Sequence, residues 1–153
     1  MNKKGVTLIE LIVVMVIIGI GAVLLAPNIG TWLPNYRLRS ATRDITSTLR
    51  SASMKAVSTN LEYRVYFNAA RQYWTERGNQ SSGSTNWSTD PNSAATEGAI
   101  NTLPTGVTKS FNGFIQFNTN STCSAATINL TNSKGKQSAI TLVTSTGKVN
   151  VSS

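Results

Sequence analysis

The sequence predicts an α+β protein in which a long N-terminal helix packs on an antiparallel β domain. Three features indicate this fold: an apolar run over 6–26, an apolar stripe at helical spacing from residue 38, and short alternating segments from residue 61. At 153 residues and 16.4 kDa, the chain has the size of one domain plus an appendage. The expected segments are 1–5, a helix over 6–27, a second helix half over 28–60, and a β-rich region over 61–153 with a polar loop at about 77–106.

The first helix is predicted by the run 6–26, which contains one hydroxyl, Thr7, and one charge, Glu10, after a basic head with Lys3 and Lys4. As a helix this run would be about 30 Å long, enough to cross the hydrocarbon core of a bilayer. The apolar part of a secretory signal peptide is usually only about 7–15 residues long and ends in a small-x-small pattern, which is missing here. We therefore expect a membrane helix with a cytoplasmic N-terminus.

The second helix is predicted to begin after an interruption, because Pro27, Gly30 and Pro34 disfavour continuous helix. Beyond them an apolar stripe of small and medium side chains follows helical spacing and is expected to dock on a sheet. Its members are Leu38, Ala41, Ile45, Leu49, Ala52 and Ala56. The helix should end near Asn60, where strand-like alternation begins.

The same helix carries a separate basic arc formed by Arg39, Arg43 and Arg50. At helical spacing these three side chains share one face, distinct from the apolar stripe. Two interpretations stay open for this arc. It is either a solvated basic face or a surface that contacts acidic or polar groups of a neighbouring subunit.

The β region is predicted from period-two alternation and turn residues. Residues 61–67 and 72–76 flank a turn at 68–71 and predict a hairpin. The Ser, Asn, Gly and Thr-rich stretch over 77–99 predicts a long surface loop, with Trp87 as its anchor. Further strands are expected at 107–110, 111–117, 127–131, 139–144 and 148–151.

The residue inventory leaves little material for catalysis. The chain has no histidine, one cysteine and six scattered acidic residues, which removes His-based acid–base chemistry, His/Cys metal sites and an intramolecular disulfide. A serine nucleophile with a lysine base would need a motif such as S-x-x-K in a structured context, and the matches to that spacing, at 133–136 and 145–148, fall on the predicted turns. We expect no enzyme activity, metal or cofactor. Cys123 is either a small residue at a strand end or an exposed lone thiol.

Residues 4–10, with the sequence KGVTLIE, resemble the class III signal of type IV pilins and type II secretion pseudopilins. The resemblance implies that residues 1–5 are a leader peptide, that a prepilin peptidase cuts between Gly5 and Val6, and that the new N-terminus at Val6 is methylated. Most members of the family have Phe where this chain has Val6. The resemblance also assigns Thr7 and Glu10 to assembly.

A carboxylate inside an apolar helix costs about 3 kcal/mol at a bilayer centre, so Glu10 needs a function. After cleavage the ammonium of Val6 would lie one helical turn away and could neutralise Glu10 of the same chain or of a neighbouring copy. The second option would set the register between stacked helices. Pilin helices also usually carry a proline near the end of the apolar half, which implies that Gly19, Gly21 and Pro27 let the helix loosen in the filament.

The rest of the chain is similar to the GspH/FimT group of minor pilins and pseudopilins. The likeness covers the helix with its Tyr36-to-Asn60 pattern, a strand over 63–67 and the closing segment 144–149, in which Lys148 replaces the usual arginine. Some pilus members of this group bind DNA through an arginine-rich C-terminal segment. The candidate nucleic-acid contact here is a cluster of Lys134, Lys136 and Lys148, which lie on C-terminal turns.

The resemblance implies a structural minor subunit that is processed and polymerised into a type IV pilus or a type II secretion pseudopilus. A DNA-binding minor pilin and a major pilin are the alternatives. The implied partners are a prepilin peptidase, other pilin or pseudopilin subunits, the inner-membrane assembly platform, membrane lipid before assembly and, in the first alternative, DNA. The implied location is the bacterial inner membrane with the C-terminal domain in the periplasm, and then a periplasmic or extracellular filament.

Overall fold

The computed structural model describes residues 5–25, 29–87, 94 and 96–152. The chain divides into two compact units, Met1–Leu33 and Pro34–Ser153. The helices are α1 (Leu8–Leu25) and α2 (Ile29–Thr59). The strands are β1 (Tyr63–Phe67), β2 (Gln72–Arg77), β3 (Thr96–Thr102), β4 (Val107–Lys109), β5 (Gly113–Phe117), β6 (Thr127–Asn132), β7 (Gln137–Val143) and β8 (Lys148–Ser152).

Helix α1 exposes apolar side chains around its whole circumference. Leu8 is 78% exposed near one end and Val23 is 73% exposed near the other. Gly19 and Gly21 lie within the helix, and a Cβ built on either would meet no atom within 4 Å. Pro27 lies outside the described residues, so helix loosening at these three positions stays a prediction.

The predicted membrane segment, 6–27, extends beyond α1 at both ends. In the part of the chain that the structure describes, no helix is both long enough and apolar enough to cross a membrane.

Helix α2 begins at Ile29, one residue from the predicted start of the second helix half at 28. The expected interruption at Gly30 and Pro34 is wrong, because both residues lie inside α2. A proline removes one backbone hydrogen bond, here the bond toward the carbonyl of Gly30, and the remaining bonds of a long helix are sufficient to continue it. The predicted end is confirmed: α2 stops at Thr59, and Asn60 has a φ of 53°, the left-handed conformation that commonly ends helices.

The apolar stripe of α2 is the centre of the core, as predicted. All six of its side chains are 2% exposed or less. They form one apolar cluster with side chains from both sheets, among them Val65, Phe67, Ile115, Ile128 and Ile140. Because both sheets contribute to this cluster, α2 holds them together as one body.

The eight strands form two antiparallel four-stranded sheets. The first sheet has the order β3-β2-β1-β5 and the second has the order β4-β6-β7-β8. The chain crosses between the sheets around β4, β5 and β6, and hydrogen bonds fix these crossings. The amide of Ser110 donates to Asn129 O at 2.9 Å, and that of Cys123 donates to Thr144 O at 3.0 Å.

Strand β3 lies inside the stretch predicted as a polar loop. Its sequence, TEGAINT, lacks period-two alternation and so does not predict a strand. In the structure three consecutive residues of this strand are exposed. The strand forms because the edge of β2 offers unpaired backbone groups, and Glu97 pairs opposite Thr75. The salt bridge from Lys55 of α2 to Glu97, at 2.6 Å, fixes β3 against the helix.

Glu97 also accepts a hydrogen bond from the phenol of Tyr63 at 2.9 Å. Burial alone would raise the pKa of Glu97, but the hydrogen bonds from Lys55 and Tyr63 outweigh it and lower that pKa. A lowered pKa means that this carboxylate stabilises the fold above its ordinary pKa and that the contribution is lost as the pH falls.

The first sheet buries an ion pair on the face that points away from α2. The Arg64 guanidinium contacts the Glu76 carboxylate, which is 0% exposed, and the indole of Trp74 donates to the same carboxylate at 2.9 Å. The guanidinium also lies 4.6 Å from the ring centroid of Trp87 and 5.0 Å from that of Phe114. This confirms Trp87 as the anchor of the polar loop, since its ring covers a buried cation.

A fragment starting near Thr31 is expected to fold as a soluble monomer, because the stripe and both sheets lie in Pro34–Ser153. Leu49→Asp should unfold it, since a buried unpartnered carboxylate costs several kcal/mol against a total stability of roughly 5–15 kcal/mol. Met54→Asp is the control, because Met54 is 66% exposed. Thermal melting by circular dichroism measures both. A fragment that is disordered before any substitution would contradict this account of the core.

Arg64→Met is expected to destabilise the fold by about 3–5 kcal/mol, because it leaves the Glu76 carboxylate buried without its charge partner. The double variant Arg64→Met/Glu76→Gln removes the charge and keeps an acceptor for Trp74, so it should recover most of this loss. Urea denaturation gives both free energies of unfolding. Equal destabilisation by the single and double variants would show that the buried charge is not the cause.

Candidate functional site

The start of α1 brings Thr7 and Glu10 together. Thr7 precedes the first helical residue, and Glu10 is the third residue of the helix. The Thr7 amide donates to Glu10 Oε2 at 3.3 Å, the Thr7 hydroxyl donates to the same oxygen at 3.1 Å, and the Glu10 amide donates to Thr7 Oγ1 at 3.4 Å. These reciprocal bonds form a capping box, which satisfies backbone donors that the first helical turn leaves unpaired.

The capping box gives Glu10 a structural function that the sequence argument missed. The signal was available, since Thr or Ser followed three residues later by Glu is the usual sequence pattern of this cap. The positive end of the helix dipole also favours a carboxylate in the first turn. The hydrogen bonds of the Glu10 carboxylate at the beginning of this apolar helix are therefore supplied by Thr7 of the same chain.

The predicted cleavage position lies just before this cap and is accessible. Gly5 is exposed, no atom would contact a Cβ built on it, and Val6 is 76% exposed. Lys3 and Lys4 lie outside the described residues. The peptide bond between Gly5 and Val6 is thus free of packing that would exclude a protease.

A second candidate site is the groove between α2 and β8, here named the basic groove. Three adjoining depressions of about 150, 760 and 300 Å³ share lining residues and make it continuous. Its cationic side chains are Arg39, Arg43 and Arg50 from α2, Lys136 from the turn before β7, and Lys148 from β8. The predicted basic arc is therefore an exposed face that borders a groove.

The predicted lysine cluster does not form. Lys134 and Lys136 lie in the turn between β6 and β7, whereas Lys148 pairs opposite Val143 at the far end of β7. The seven residues of β7 separate the two positions by roughly 20 Å, at about 3.3 Å per residue. Lys136 and Lys148 lie instead at opposite ends of the basic groove, and the arginines of α2 lie between them.

Cys123 has the interior position that was one of its two predicted alternatives. It is 6% exposed and forms an isolated bridge with Phe117 at the end of the first sheet. Burial raises the pKa of its thiol, which makes the reactive thiolate scarce at neutral pH. Among the described residues there is no cluster of His, Cys, Asp or Glu that could hold a metal ion.

Comparisons with known proteins agree with the N-terminal motif and with the fold described above. Residues 1–26 match the family model of the prokaryotic N-terminal methylation motif. No curated protein sequence matches the chain.

The solved structures that resemble the fold include those of two proteins. One is the minor pseudopilin EpsH from the type 2 secretion system of Vibrio cholerae, with 11% identity, 75% of this chain and 95% of that chain covered, and a TM-score of 0.57. The other is the type IV minor pilin FimU of Pseudomonas aeruginosa, with 16% identity, 78% and 90% covered, and a TM-score of 0.57. At these identities the likeness establishes the fold. The predicted α+β architecture and the resemblance to pilin-like proteins are confirmed.

Proposed function

We propose that this chain, which joins the N-terminal motif of prepilin-type proteins to the fold of minor pilins and pseudopilins, is a minor structural subunit of a pilin-type filament. The observation that carries the proposal is α1 itself: its apolar side chains are exposed around the helix, and its one charge is fixed in the capping box. Large exposed apolar surfaces mark sites of association with other proteins or with lipid.

The proposed sequence of events starts with residues 6–27 held in the inner membrane and with the folded unit Pro34–Ser153, here named the body, in the periplasm. A prepilin peptidase then cuts after Gly5, and the new N-terminus at Val6 is methylated. The assembly platform extracts the chain and adds it to a filament, in which α1 packs against the helices of other subunits. The filament is a type IV pilus or a type II secretion pseudopilus, and the chain itself catalyses no reaction.

Cleavage changes the electrostatics at the start of α1. Before cleavage, the amide of Thr7 and its hydroxyl supply the hydrogen bonds of Glu10. Cleavage adds an ammonium at Val6, adjacent to Thr7, and a charged partner forms stronger hydrogen bonds with a carboxylate than a neutral one. In the filament, the Val6 ammonium of one subunit is proposed to pair with Glu10 of its neighbour and so set the register of the two helices.

Processing is expected between Gly5 and Val6. The intact mass of the chain from cells that express a prepilin peptidase should fall by the mass of residues 1–5, with a further increase of one methyl group if Val6 is modified. Gly5→Ala should largely block the shift, because a side chain is added directly before the cut. An unchanged mass for the parent chain would contradict the pilin interpretation.

Two variants of Glu10 separate its charge from its capping function. Glu10→Gln keeps the capping box, since Gln serves as well as Glu at this helical position, whereas Glu10→Val removes both functions. If the charge sets the helix register, both variants should lower incorporation into filaments by at least about tenfold, equivalent to about 1.4 kcal/mol. Quantitative immunoblots of sheared filaments, normalised to total cellular protein, measure this.

The melting temperature of the folded body should be the same in both variants, because Glu10 lies in the other unit. Normal incorporation of Glu10→Gln together with loss for Glu10→Val would assign the function to the cap and would refute the charge-pair register.

A further inference from the structure

The basic groove combines positive charge with a shortage of nearby negative charge. Three described acidic residues of the body are engaged on the first sheet: Glu62 with the loop amides of Gly83 and Ser84, Glu76 with Arg64, and Glu97 with Lys55. Asp44 accepts a hydrogen bond from Ser40, and, after burial as the main cause, its charge helps to raise the pKa of Tyr73 to about 12. Asp44 also lines a further depression together with Arg39 and Arg43. Among the described residues, the three depressions that form the basic groove are lined by five cationic side chains and by no acidic one.

Strand β8 presents an open sheet edge to this groove. It is the outermost strand of the second sheet, and its backbone is paired on the β7 side alone. The amide of Leu142, which lies opposite Val149, donates to Ala126 O at 3.1 Å and so points away from β8. Leu142 and Val149 are therefore a non-hydrogen-bonded pair, and the carbonyl of Val149 points to the open edge.

The direction of that carbonyl is confirmed by its contact with α2. Arg50 Nη2 approaches Val149 O at 3.5 Å, across the groove. This distance is at the long limit of a hydrogen bond, so the guanidinium can exchange it for a shorter bond to a carboxylate at little cost. The edge backbone and the arginine side chains thus face the same space.

Apolar side chains border the same groove. Met54 of α2 is 66% exposed and Val151 of β8 is 47% exposed, and both contribute to its lining. A ligand that fits the groove must therefore offer carboxylates or similar anions, apolar groups and backbone hydrogen-bonding groups together.

We propose that the basic groove binds an extended, acidic segment of a neighbouring polypeptide in the filament. The segment runs along the edge of β8, its carboxylates pair with Arg39, Arg43 and Arg50, and its apolar side chains cover Met54 and Val151. Addition of a strand to an open sheet edge supplies affinity through the main chain, and alternate side chains supply specificity. The proposal rests on the proposed function in one respect: it takes the partner to be another subunit.

A polypeptide fits these features better than a nucleic acid. Phosphates would satisfy the arginines, but a sugar–phosphate backbone offers no row of amides to an open strand edge and no aliphatic side chains to Met54 and Val151. An extended peptide meets all three requirements at once, because its successive side chains point to opposite sides.

The test measures binding of short peptides to the full-length chain in a neutral detergent. The probe is a fluorescein-labelled peptide of sequence EVEVEVE, with KVKVKVK and QVQVQVQ as matched peptides and a single-stranded oligonucleotide as the nucleic-acid probe. Fluorescence anisotropy should show binding of the acidic peptide at least about tenfold tighter than of the glutamine peptide, with affinity that falls as salt is added. The lysine peptide should not bind.

Charge-reversal variants locate the site. Arg43→Glu and Arg50→Glu should each weaken the acidic peptide by at least about tenfold. Arg77→Glu makes the same change in charge at an exposed position on the first sheet and should leave affinity within about twofold. An N-methylated version of the acidic peptide, which cannot donate to the edge of β8, should also bind more weakly.

Three results would overturn the proposal: no preference for the acidic peptide, binding that is insensitive to Arg43→Glu and Arg50→Glu, or groove-dependent binding of the oligonucleotide alone. Filament incorporation of the same variants is measured separately. A chain that binds the acidic peptide in the groove but never enters a filament would retain the site and reject the proposed function.

Discussion

The burial of one helical stripe between two sheets determines the rest of the structure. Leu38, Ile45 and Leu49 on α2 belong to one apolar cluster with side chains of both sheets, and hydrogen bonds also hold the chain where it crosses between the sheets. Burial of this face of α2 also fixes the directions in which its other faces point. The arginines must border β8, and Lys55 must meet Glu97 on β3. The polar contacts follow from the packing rather than cause it.

The two units of the chain differ in how far their apolar side chains are buried and in what holds their charged groups. The body buries an apolar core of its own, and one of its buried charges, Glu76, has a partner in Arg64. Helix α1 exposes its apolar residues and holds its one charge, Glu10, at its first turn through Thr7. Under the proposed function, the exposed apolar surface of this helix is covered by lipid or by the helices of other subunits. A structural subunit needs this incomplete surface, and it needs a body that stays folded when the surroundings of α1 change.

Features with strong periodicity could be predicted from the sequence, and features that depend on neighbours in space could not. The stripe from Leu38 to Ala56, the hairpin of β1 and β2 and the end of α2 at Asn60 were predicted because local spacing specifies them. Strand β3 was missed because the edge of β2, not its own composition, makes it a strand. The predicted lysine cluster is wrong for a related reason: the strand β7 lies between Lys136 and Lys148 in the chain and places them at its opposite ends. The capping box could also have been predicted locally, because Thr7 and Glu10 have the spacing of this cap.

The central claim is that the chain becomes part of a filament after its leader is removed. The most direct measurement is mass spectrometry of filaments sheared from cells that express the chain with its native assembly machinery, compared with the membrane fraction of the same cells. The account predicts that the filament fraction contains this chain and that its N-terminal peptide begins at Val6. Recovery of the chain from membranes alone, or filaments in which it still begins with residues 1–5, would contradict it.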